Sequence, residues 1–86
     1  MPRISSFYGI AILMYYDDHN PPHFHATYAE HHVLVEIGTR RVLTGSLPRR
    51  ALRMVEEWAA THATELAEDW ERARSGEPLV PIAPLH

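Results

Sequence analysis

With 86 residues, 45% of them hydrophobic and 22% charged, the chain has the composition of one ordinary globular domain (1–86) and not that of a disordered segment. Its formal net charge of −3 excludes a generally basic nucleic-acid surface, although all eight cations are arginine, the residue best suited to local anion pairing. The absence of cysteine excludes a disulfide framework, a thiolate metal site and a cysteine nucleophile.

The charge is unevenly spread: residues 1–55 sum to +2 and residues 56–86 to −5. The first residues carry no apolar secretion signal, and no apolar run nears the roughly 20 residues that span a bilayer. A cytoplasmic chain without membrane contact is therefore expected.

In chain order, Ile10 to Tyr16 is apolar on both faces and predicts a well-covered strand. Asp17-Asp18-His19-Asn20-Pro21-Pro22 ends it, because paired prolines fix φ and remove two donors, giving a stiff loop. His23 to Tyr28 restarts extended structure, and Ala29-Glu30-His31-His32 is a plausible hairpin turn. Val33, Val35 and Ile37 then alternate toward Gly38, and Arg41 to Thr44 predicts a short strand closed by Gly45.

The period changes after residue 46. Ser46 is a candidate helix cap, and Pro48 fits a first turn. Leu52, Val55 and Ala59, then Leu66, Trp70 and Ala73, recur at helical spacing. Thr61-His62-Ala63-Thr64 can interrupt that run, with Thr64 capping a second helix, so one helix or two stays open. Ser75-Gly76 stops it. Pro78, Pro81 and Pro84 then suit an extended strap. The fold class predicted is α+β: a small antiparallel sheet of three to four strands over about 9–45, one or two helices over about 47–75, and a proline-rich C-terminal strap.

The chemistry concentrates in the histidine segment. On a strand, His23 and His25 share one face while Phe24 takes the other. His19 lies one loop earlier beside Asp17 and Asp18. Imidazole and carboxylate together suit zinc or another divalent transition metal, with His19, His23, His25 and Asp18 as ligands and Asp17 as a further third-ligand candidate. The same groups suit proton transfer, with His23 and His25 as general acid and base. A merely structural or exposed role is the plain alternative. Arg40, Arg41, Arg49 and Arg50 are candidate phosphate contacts, the last two at a helix start, against solvated or helix-paired charge. Trp58 and Trp70, twelve positions apart, do not share a face of one straight helix and suit the core.

Asp18-His19-Asn20-Pro21-Pro22-His23-Phe24-His25 resembles an aspartate-histidine-x-proline-proline-histidine-x-histidine signature. Gly45-x-Leu47-Pro48, Trp58, His62, Glu65-Leu66, Trp70 and Ile82-x-Pro84-Leu85 follow in matching order. Together they resemble the bacterial domain-of-unknown-function family 4160 across nearly the whole chain. The resemblance implies a small stand-alone bacterial protein, often encoded beside a small protein related to helix-turn-helix DNA binders, in pairs proposed as toxin–antitoxin modules. Its recurring residues map to His19, His23, His25, Trp58 and Trp70, with no catalytic role assigned to them.

The function expected on these grounds is a partner-binding component of a toxin–antitoxin-like pair. As a toxin it would be RNA-directed: a ribonuclease using no metal or other cofactor, with histidines moving protons and arginines holding phosphate. A metal-binding protein is one alternative and a purely structural interaction module another. A small protein partner is expected, and self-association would hide further apolar surface.

Overall fold

The computed structural model describes residues 3–16 and 18–86. Five strands, β1 (Arg3–Phe7), β2 (Ile10–Leu13), β3 (His23–Tyr28), β4 (His31–Glu36) and β5 (Val42–Ser46), precede two helices, α1 (Arg49–Thr61) and α2 (Ala63–Arg74). All neighbouring strands are antiparallel, and sheet order equals chain order, an up-and-down meander. The class is α+β, as expected, but with five strands where three to four were predicted. The additional strand is β1. Its centre, Ser5-Ser6, has no apolar alternation, and the Tyr8-Gly9 turn (φ +50° and +80°) departs from the Asn-Gly or Asp-Gly signal of a tight hairpin.

Other boundaries shift for similar reasons. β2 stops at Leu13 instead of Tyr16. Only Ala29 and Glu30 form the β3–β4 turn, so His31 and His32 belong to β4 and pair with Tyr28 and Thr27. Ser46 ends β5 instead of capping α1, whose N-cap is Pro48 without a side-chain hydrogen bond. Gly45 explains why β5 runs on. A Cβ there would sit 2.2 Å from the His32 carbonyl oxygen, and its φ of +80° favours glycine.

The helical segment breaks at His62, whose φ and ψ of −113° and 28° cap both helices, so Thr64 is not the cap. Ile10, Ile12, Phe24, Ala26, Val33 and Val35 from the sheet bury against Ala51, Val55, Trp58, Ala59, Leu66 and Trp70 from the helices. Both tryptophans are core residues, 0% and 2% exposed. Residues 77–86 form no helix or strand. Ile82 N–H donates to the Ile4 carbonyl, Val80 N–H to buried Asp69, and Trp58 Nε1–H to the Ala83 carbonyl. Among the described residues no helix is long and apolar enough to cross a membrane.

Candidate metal centre

Strand alternation sends Phe24 into the core, where its ring meets Trp58, and turns His23 and His25 the other way from Phe24 along β3. The His23 and His25 rings are 5.3 Å apart. The loop between β2 and β3 brings Asp18 over them. That loop is held by its prolines: Ile37 N–H donates to the Pro22 carbonyl, and His23 Nδ1–H donates to the Pro21 carbonyl at 2.8 Å. Trp70 packs on the His23 ring at 5.3 Å, and Tyr15 stands edge-on to His25 at 4.5 Å.

The result is a carboxylate oxygen facing two imidazole nitrogens. Asp18 Oδ2 lies 2.9 Å from His23 Nε2 and 3.3 Å from His25 Nε2. One ligand atom from each residue lies within 4.8 Å of the others. The side chains of His23, His25 and Asp18 are 6%, 12% and 21% exposed, so the triad is sheltered but reached by solvent from the aspartate side.

Proton accounting at this point is unusual. A carbonyl oxygen only accepts, so His23 Nδ1 carries the hydrogen, and the Nε2 of a neutral ring is then a bare lone pair aimed at Asp18 Oδ2. His25 Nδ1 faces His32 Nε2 at 3.0 Å, and one ring must donate to the other. If His25 donates, its Nε2 too is bare toward Asp18. Three acceptors then converge, and only added protons or a cation can hold them together.

Burial and the neighbouring His23 and His32 charges pull the His25 pKa below its ordinary value, against the opposing pull of Asp18. Burial alone would raise Asp18, but the His19 backbone N–H and the imidazoles of His25 and His23 outweigh it and leave its pKa lowered. Both shifts favour the states that ligate metal, neutral imidazole and charged carboxylate.

The spacing also fits. Ligand atoms about 2.0–2.1 Å from one ion lie about 2.8–3.0 Å apart at an octahedral edge and about 3.3–3.4 Å apart at a tetrahedral one. The Asp18 contacts of 2.9 and 3.3 Å match such edges. Bonding of the outer imidazole nitrogens to Pro21 and His32 is the support that metal-bound histidines require.

A family model described as domain of unknown function (DUF4160) matches residues 9–71. The chain belongs to this family. No curated protein and no solved structure matches it. The DUF4160 match takes in the aspartate–histidine triad, the helix break and both tryptophans, and leaves out β1 and the last residues.

Within this DUF4160 chain, Asp18, His23 and His25 come together, whereas exposed His19 contributes its backbone N–H to Asp18 Oδ1 at 2.9 Å and lies outside the triad. Asp17 lies outside the described residues. The arginine candidates divide. Arg40 and Arg41 follow Glu36, the register partner of His23, at the triad's end of the sheet. Arg41 pairs with Glu36 at 3.7 Å, and Arg40 contacts the Gly38 carbonyl. Arg49 and Arg50 follow Ser46, the partner of His32, at the other end. His32 and Trp70 are site residues that His-x-His spacing alone does not reveal. His32 arrives through the β3–β4 register, which sets it diagonally beside His25.

Proposed function

We propose that this protein binds one divalent transition-metal ion through Asp18 Oδ2, His23 Nε2 and His25 Nε2. The observation that carries the reading is the approach of Asp18 Oδ2 to both imidazole Nε2 atoms, at 2.9 and 3.3 Å, while the outer nitrogens of both histidines are engaged elsewhere. Two imidazoles and one carboxylate suit zinc, iron, manganese or nickel. Three protein ligands leave coordination positions for water or substrate on the solvent side, the arrangement of a metal that polarises an oxygen or activates water.

The toxin-like reading, in which His23 and His25 cleave RNA without metal, asks His23 to exchange protons with a substrate. That side chain is 6% exposed, its Nδ1–H is held by the Pro21 carbonyl, and its Nε2 is covered by Asp18. It is built as an anchor, and the metal reading uses it as one. A role in a toxin–antitoxin-like pair stands as a separate proposal, supported by the family resemblance. As the toxin of such a pair, the chain would arrest growth on expression without the small protein partner.

Cobalt(II) titration of protein purified without a histidine tag tests the metal reading. One equivalent should develop visible ligand-field bands that zinc displaces and that Asp18→Asn abolishes. Absence of bands in the folded wild type, or equal bands in folded Asp18→Asn, would overturn it.

A further inference from the structure

At the end of the sheet away from the triad lies an open cleft of about 630 Å³ between the β1–β2 turn, the end of β3, one flank of α1 and the last two residues, Leu85 and His86. Tyr8, Tyr28, Arg50, Arg53, Met54 and Glu57 are among its lining residues. The volume falls in the range of small-molecule sites, about 300–1,000 Å³.

The lining combines two features that a folded chain otherwise tends to spend internally. Tyr8 and Tyr28 are 60% and 36% exposed, and neither hydroxyl nor ring has a hydrogen-bond or stacking partner among the described residues. Tyr28 is nevertheless seated. A Cβ on Gly9 would stand 3.3 Å from its Cε1, so the ring lies directly over the glycine backbone. Tyr8 occupies a left-handed turn position, φ +50°, which disfavours bulky side chains and holds its ring at the rim.

Arg50 and Arg53 are exposed and have no carboxylate partner among the described residues, whereas Arg41, Arg72 and Arg74 each have one. They project from the first turns of α1, which has no acidic residue in its first turn and no side-chain cap. The helix N-terminal N–H groups therefore add to the positive potential there.

We propose that this cleft binds a phosphorylated aromatic ligand of the nucleotide class, its ring on Tyr28 and Tyr8 and its phosphate on Arg50 and Arg53. Stacking on tyrosine is tolerant of base identity, and arginine grips phosphate through paired N–H groups. Glu57 on the lining and the −5 charge of residues 56–86 oppose a long polyanion laid along the helices. The fitting ligand is thus a free nucleotide or the terminal nucleotide of a flexible single strand. The proposal is independent of the metal site.

The test is titration of ¹⁵N-labelled full chain with adenosine and uridine monophosphates, adenosine, inorganic phosphate, a single-stranded RNA pentamer and an acidic tyrosine-containing peptide. Amide shifts should cluster at Gly9, Tyr28 and Arg50 to Met54 and saturate with the monophosphates. Adenosine and phosphate alone should each bind roughly tenfold or more weakly, since each supplies half of the contacts. Arg50→Gln with Arg53→Gln should weaken binding by a similar factor and flatten its salt dependence, and Tyr28→Ser should remove the preference over inorganic phosphate. Folded His25→Ala should bind normally. The pentamer binding much better than monophosphates identifies the strand end as the source, and equal binding identifies the free nucleotide. Saturation by the peptide alone, or nucleotide binding unaffected by the arginine pair, overturns the proposal.

Discussion

Asp18→Asn is the most informative single perturbation, because it retains side-chain shape and removes one proposed ligand. Asp18 is 21% exposed and holds two imidazoles. In the metal-free protein, loss of such a partly solvated pair costs about 0–1 kcal/mol. A domain of this size loses about 4–8 °C of Tm per kcal/mol, so the metal-free variant should melt within a few degrees of wild type. Metal changes the comparison. At a free metal concentration of 100 times Kd, binding stabilises the native state by about 2.7 kcal/mol, or about 11–22 °C. Removing one of three ligands should weaken binding at least about 100-fold, so at the same concentration the gain falls to about 0.4 kcal/mol, or about 2–3 °C. Differential scanning fluorimetry, using Trp58 and Trp70 as intrinsic reporters, with and without zinc, manganese, nickel or cobalt reads both numbers. Equal metal-dependent shifts in the two proteins, or no shift in wild type with any of these metals, would refute the reasoning.

Replacing His32 with phenylalanine keeps a stacked ring beside His25 but deletes the nitrogen facing Nδ1. Metal affinity should fall about 10- to 100-fold by isothermal titration, the usual consequence of losing an outer-shell partner, and an unchanged Kd would count against His32 as a support. In chelator, stability should decline as pH falls. The folded His25 pKa lies below the unfolded 6.5, so below about pH 6.5 the unfolded chain takes up a proton that the folded one resists. Asp18, lowered from 3.8, adds a further loss at more acidic pH, as its folded carboxylate is protonated. Urea melts from pH 7.5 to 5.5 should show a slope that His25→Asn reduces, and a slope of opposite sign in that difference would contradict the assignment. Gly45→Ala should cost about 3 kcal/mol, from a left-handed residue at about 1–2 kcal/mol plus a strained β4–β5 ladder. Its added Cβ meets the His32 carbonyl, and a melt within 4 °C of wild type would refute that packing.

The site was partly legible because strand alternation and proline are local effects. His23-x-His25 must share a face, and Pro21-Pro22 must turn the chain back, so the aspartate just before them has little choice but to approach. That an antiparallel neighbour could bring His31 or His32 toward His25 was legible, but not which of the two. The choice depends on the pairing of His25 with Leu34, and a register slip of one residue would send His32 to the core face. β1 was obscured by Ser5-Ser6 and by a tyrosine in a turn that favours asparagine or glycine. The Tyr8–Tyr28–Arg50–Arg53 cleft draws on four separated positions that only the finished meander brings together. The helix break at His62 could be placed but not decided from sequence, since Thr61-His62-Ala63-Thr64 contains no proline or glycine to force it.

The most direct test of the central claim is elemental analysis of the protein purified without a histidine tag or chelator. One transition-metal ion per chain is predicted for wild type, falling to background in folded Asp18→Asn and in folded His23→Ala with His25→Ala. Metal well below one per chain after growth and reconstitution with zinc, iron, manganese and nickel, or metal content untouched by these substitutions, would contradict it.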